Sequence, residues 1–85
     1  MKKFIYTIKD ELGIHARPAG QLIKCAKACE STIYISKGDK TAEATRLMAI
    51  MGMAVKKGDT VEVRAEGERE EKDIEIIKAF FEENL

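Results

Sequence analysis

The chain has 85 residues, 45% hydrophobic and 35% charged, with 15 Lys plus Arg balanced by 15 Asp plus Glu. That length suits one domain over residues 1–85 with one modest core, and zero formal charge argues against a nucleic-acid binder that relies on phosphate contacts. No apolar run approaches the ~20 residues that cross a bilayer, and Met1-Lys2-Lys3 leads into alternating residues instead of a signal-peptide core, so a cytoplasmic protein without membrane insertion is expected.

Residues 2–9 read as a strand, because Phe4, Tyr6 and Ile8 alternate with polar or solvent-tolerant neighbours. Asp10 to Gly13 then form a loop, and a helix is predicted over 16–28. Ala19, Leu22, Ile23 and Ala26 fall at the spacing of its core face. Arg17, Gln21, Lys24 and Lys27 run down the opposite side as a basic stripe, which points at an acidic partner. Pro18 fits the first helical turn, where a missing N–H costs no intrahelical bond.

Residues 32–37 alternate with Ile33 and Ile35 on one face, and Gly38-Asp39 supplies a two-residue hairpin turn of the Gly-X kind before a returning strand over 40–44. If 46–53 is helical for two turns, Ile50 and Met53 reach the core, but Leu47, Met48 and Met51 cannot all follow them. The remaining exposed thioethers suit an interface that meets several partners; a loosely packed buried Met cluster is the alternative. Over 60–66, Val61, Val63 and Ala65 point in while Glu62, Arg64 and Glu66 point out, and Gly67 ends the strand. A last helix over 69–83 gathers Ile74, Ile77, Phe80 and Phe81 on one face. The order β-α-β-β-α-β-α argues an α+β fold with a four-stranded, largely antiparallel sheet, one side packed and one side wet.

His15 is the only histidine, and it falls at, or one residue before, the N-terminus of the first helix. The first N–H groups there have no intrahelical partner, and the macrodipole places roughly half a positive charge at that end. Arg17 adds a fixed cation. Neutral imidazole is available as a nucleophile near pH 7, so the segment reads as an anion site able to accept a phosphoryl group and surrender it. The plainer alternative is a histidine that merely caps a helix. Cys25 and Cys29 are too few for a disulfide scaffold and, with one distant histidine, too few for a structural zinc site. They read as two reduced thiols, and no metal is expected.

Gly13-Ile14-His15-Ala16-Arg17-Pro18-Ala19 resembles the active-site signature of the HPr family, the histidine-containing phosphocarriers of the bacterial sugar phosphotransferase system. The Met-rich segment near 46–53, the Lys57-Gly58 turn, the Ala65-Glu66-Gly67 stretch and the length agree with that family in order and spacing. The resemblance implies an open-faced β-sandwich with strand order 1-4-2-3 and three helices on one face. It implies that His15 accepts the phosphoryl group, that Ala16 and Arg17 N–H groups donate to it, that Arg17 balances its charge and that Pro18 fixes the first turn. Gly20, Lys24, Lys27, Leu47, Met48 and Met51 would form the docking face.

The implied protein is a monomeric carrier, not an enzyme. It would take phosphate from phosphorylated enzyme I and pass it to enzyme IIA domains of sugar permeases, with no cofactor; transcriptional regulators are left open as further partners. A regulatory carrier of the same fold, of nitrogen-branch or catabolite-control type, is the rival, and a small Cys/His metal-binding domain is a third class. Two positions depart from the family pattern. Arg46 stands where many members carry a serine that a dedicated kinase phosphorylates, so that input should be absent; Thr45, one position away, is not a substitute. Leu12 stands where Asn or Ser is frequent, so any side-chain hydrogen bond from that position must be missing or come from backbone.

Overall fold

Alternation along the sequence becomes the sheet. In the computed structural model, which describes residues 1–85, the strands are β1 (Lys2–Thr7), β2 (Thr32–Lys37), β3 (Lys40–Glu43) and β4 (Thr60–Glu66). They pair antiparallel in the order β1-β4-β2-β3. The helices are α1 (Ala16–Ala28), α2 (Leu47–Gly52) and α3 (Glu70–Asn84). The result is the α+β fold expected from the pattern, in the open-faced sandwich form and strand order that the family resemblance implies.

Register explains the two faces. Phe4 pairs with Val63, Val63 with Ile35, and Ile35 with Ala42, so one row of inward side chains crosses all four strands. The neighbouring inward positions Ile33, Val61 and Ala65 are likewise buried, whereas Ile5 on the other face is 68% exposed. Against the inner face α1 supplies Ala19, Leu22 and Ala26, and α3 supplies Ile74, Ile77 and Phe81, within one cluster of buried apolar residues. Each large side chain so buried contributes about 1.5–3 kcal/mol. The Phe81 ring meets Phe4 and Tyr6 edge-on, with centroids 5.6 and 5.5 Å away. At the β2–β3 turn Gly38 has φ +61° and Asp39 stays at negative φ, which fits a Gly-X turn.

Four details depart from the periodicity. β1 stops at Thr7, not at residue 9, because the next amides turn elsewhere: Ile8 N–H donates to the Asp59 carbonyl (2.9 Å), and Lys9 and Asp10 N–H to the Leu85 carbonyl (2.6 and 2.9 Å). β3 ends at Glu43. Ile23 is only half-buried, and Pro18 takes a buried place on α1 instead. Phe80 is also half-buried, packed at the edge of the cluster. Cys25 and Cys29 are free thiols at a half-buried position near the end of α1. Burial, and next the Asp73 carboxylate, push the Cys29 thiol up to about 11.

Candidate functional site

His15 is the N-cap of α1, with extended backbone (φ −106°, ψ −176°), and its carbonyl accepts the first helical bond, from Ala19 N–H at 2.9 Å. Its side chain makes no capping hydrogen bond. The imidazole is therefore not engaged in capping and is free for other work. The backbone N–H groups of Ala16 and Arg17 donate to nothing within the protein, and Pro18 follows them with no N–H to satisfy. Two unpaired donors beside a 38% exposed imidazole make a place where an anion can be held. Arg17 is exposed and forms no ion pair.

The loop that presents His15 is closed by its own chain. Gly13 N–H donates to the Asp10 carbonyl (3.0 Å), His15 N–H to the Gly13 carbonyl (3.1 Å) and Ile14 N–H to the Val55 carbonyl (3.0 Å). Leu12 is 70% exposed and lends no side-chain bond, but its N–H donates to the Asp10 carboxylate at 3.1 Å. This is an Asx-type turn. Asp10 also lies 3.6 Å from His15, Oδ2 to Nε2. Gly13 has φ +67°, and a Cβ there would fall 2.2 Å from the Val55 carbonyl oxygen. Only glycine lets this loop lie on the 55–56 segment.

Two surfaces flank the site. Arg17, Gly20, Gln21, Ile23, Lys24 and Lys27 line a shallow depression of about 400 Å³ on α1. A Cβ at Gly20 would meet nothing, so this glycine keeps the floor open. On α2, packed against α1, Ile50 and Met53 are buried while Leu47, Met48 and Met51 are 44%, 80% and 37% exposed. The Met segment is thus an exposed apolar patch and not a buried cluster.

Its end is fixed by Lys37, whose ammonium donates to the carbonyls of Ala54 (3.0 Å) and Met53 (3.4 Å) and pairs with Asp59 at 2.9 Å. That hydrogen bond from Lys37, with a second from Lys56 N–H, holds the Asp59 carboxyl below its usual range. A larger hollow, about 460 Å³, opens on the wet sheet face among Ile5, Ser36, Thr41, Thr60 and Arg64, but none of the residues around His15 lines it.

The periodicity misses Asp10, Lys37 and Asp59. Asp10 could have been found, since an Asp two residues before a loop amide is a turn signal. Lys37 and Asp59 meet across 22 residues and leave no local pattern. Arg46, exposed, is the N-cap of α2 and makes no side-chain cap bond; α2 begins at Leu47, so Thr45 and Arg46 lie before the helix, and Thr45 is half-buried.

Residues 2–83 match the family model described as "PTS HPr component phosphorylation site". A phosphocarrier protein HPr from Lysinibacillus sphaericus is 36% identical over 83 residues, covering 98% of this chain and 94% of that protein. The HPr-like protein Crh from Halalkalibacterium halodurans is 33% identical over 75 residues, 88% of this chain and 89% of that one. The crystal structure of HPr-C-His from Thermoanaerobacter tengcongensis superposes with a TM-score of 0.91 at 35% identity, over 96% of this chain and 92% of the other. No helix here is long and apolar enough to cross a membrane.

Proposed function

The chain belongs to the HPr family of phosphotransferase-system phosphocarriers, and on that premise we propose that His15 accepts a phosphoryl group from phosphorylated enzyme I and hands it to enzyme IIA domains of sugar permeases. The carrying observation is the uncapped, exposed imidazole followed by two unpaired N–H groups. The imidazole lone pair forms the bond to phosphorus while the donor's bond breaks and keeps its electrons. The phosphoryl oxygens then accept from the Ala16 and Arg17 amides, and the Arg17 guanidinium offsets their charge. The second transfer reverses these roles. The protein is consumed and regenerated as a covalent intermediate, a monomeric cytoplasmic co-substrate and not a catalyst.

Docking falls to the α1 depression and the exposed part of α2. The basic depression attracts an acidic partner, and Leu47, Met48 and Met51 supply an adaptable apolar contact. Resemblance to Crh supports a second reading, a carrier whose phosphorylation state is a signal instead of a step in sugar uptake.

Incubation with phosphoenolpyruvate and enzyme I, followed by intact mass, tests the assignment. One phosphoryl group is expected, labile in acid and stable in mild base, and absent in His15→Ala, which stays folded because this half-exposed side chain lies outside the core. Acid-stable label, or label that persists in His15→Ala, overturns the assignment. Onward transfer to an enzyme IIA domain separates the two readings.

A further inference from the structure

We propose that Asp10 is the positioning residue for His15: its carboxylate keeps the proton of the neutral imidazole on Nε2 and so leaves the Nδ1 lone pair free for phosphorus. The inference rests on His15 being the acceptor through Nδ1, the nitrogen its family uses, and adds only what prepares that nitrogen.

The Asp10 carboxylate cannot drift from the ring, because its own turn holds it. Oδ2 accepts from Leu12 N–H (3.1 Å), the Asp10 carbonyl accepts from Gly13 N–H (3.0 Å), and the Asp10 amide donates to the Leu85 carbonyl (2.9 Å). From this fixed place Oδ2 faces Nε2 at 3.6 Å, both side chains being about one-third exposed, 34% and 38%. That separation is longer than a hydrogen bond, but a carboxylate there attracts an N–H dipole and repels a nitrogen lone pair in a partly desolvated setting. The two neutral tautomers therefore differ in energy, and the Nε2–H form is favoured.

The same charge repels a phosphoryl group approaching Nε2. It also faces the proton-bearing side of the ring as the reaction makes it cationic. When Nδ1 donates its pair to phosphorus and the donor departs with the old bond's electrons, the ring carries positive charge with its proton still on Nε2, beside Asp10. An acidic residue next to an acceptor of anions is thus placed on the side where it helps.

The test is ¹⁵N NMR of the His15 ring in the unphosphorylated protein, at a pH where it is neutral, in wild type and Asp10→Asn. Asparagine keeps an oxygen to accept from Leu12 N–H, so the loop and the backbone amide spectrum should survive while the charge is lost. The Nε2–H to Nδ1–H ratio is expected to fall roughly fivefold in the variant. With phosphorylated enzyme I, kcat for phosphoryl uptake should fall by about tenfold while KM holds, because Asp10 lies off the docking surfaces. An unchanged tautomer ratio overturns the proposal, and so does slower uptake accompanied by a disturbed amide spectrum and an unchanged ratio. If wild type takes no phosphate while the ratio still shifts in Asp10→Asn, the tautomer assignment is supported and the acceptor reading alone is lost.

Discussion

The carboxylate of Asp73, in the first turn of α3, accepts a 2.8 Å hydrogen bond from the backbone N–H of Ser31, in the turn between α1 and β2. Asp73 is only 4% exposed. Burial alone would raise its carboxyl, but hydrogen bonding, chiefly from the Ser31 N–H, outweighs it, and the net displacement is downward from the ordinary 3.8. A carboxyl lowered in the folded state stabilises above its unfolded pKa and loses that contribution as pH falls through its folded value. Asp73→Ala should therefore cost about 1–3 kcal/mol at pH 7, the penalty of a buried unpaired N–H. Asp73→Asn, which keeps an acceptor without charge, should cost less, and its gap from wild type should close as pH falls below 3.8. Urea unfolding at three pH values reads both; a gap that widens in acid contradicts the assigned sign.

Gly13→Ala should be among the most damaging single-methyl changes in the chain. It combines a left-handed backbone with a Cβ 2.2 Å from the Val55 carbonyl oxygen, and a loss of roughly 3 kcal/mol or more is expected. The Ile14–Val55 bond would be strained with it, so phosphoryl uptake on His15 should fall even in the folded fraction. Calorimetry with enzyme I kinetics checks the pair; near-wild-type values in both would mean that the loop does not rest on Val55.

Met48→Glu should leave thermal stability nearly unchanged, since Met48 is 80% exposed. It should weaken transfer from enzyme I by about 2 kcal/mol or more, because an unpaired charge enters an apolar contact. Lys24→Glu and Lys27→Glu, in the α1 depression, should act on association rate, with the deficit shrinking as salt is added. Stopped-flow transfer at two ionic strengths distinguishes them. Wild-type transfer by Met48→Glu would remove α2 from the docking surface.

Wild-type protein should take no phosphate from ATP and an HPr kinase, because Arg46 offers no hydroxyl and Thr45 is half-buried outside α2. Arg46→Ser should become a substrate, and it carries a second expectation. Arg46 is an N-cap without a capping bond, and its 3.7 Å exposed pairing with Glu43 contributes little. Serine at that position should stabilise the protein by about 0.5–1 kcal/mol. Intact mass and a melting curve on the two proteins decide both points. A phosphorylated wild type would show that the kinase reads Thr45 after all.

What was legible in the sequence was local. Alternation located β1, β2 and β4 and the Gly38-Asp39 turn located β3, while a single helical stripe placed Ile50 and Met53 inside and left no room for all of Leu47, Met48 and Met51. His15 was legible because a strand pattern, a Pro and a helical pattern meet there. Ile23 was misplaced because its spacing fits the core face, whereas the stripe that α1 buries runs through Pro18, Ala19, Leu22 and Ala26. Asp73–Ser31 and Lys37–Asp59 were invisible because each bond joins residues 42 and 22 positions apart, and polar pairing across such distances carries no period. The site's chemistry sat in one contiguous motif, whereas its supports came from elsewhere in the chain.

The place of β4 in the middle of the sheet has a consequence for synthesis. β1 can pair only with β4, Thr7 opposite Thr60, and β2 has only β3 until β4 arrives. At ribosomal speeds the first strand waits roughly 3–10 s for its partner, and a lone two-stranded hairpin is marginal in water. Nothing larger than the β2–β3 hairpin can form on the way, so the nascent chain carries its apolar strand faces uncovered until the last third is made. Premature termination between Glu43 and Thr60 leaves α1 and a hairpin with nothing to close them, a substrate for proteases and not a lesser version of the domain.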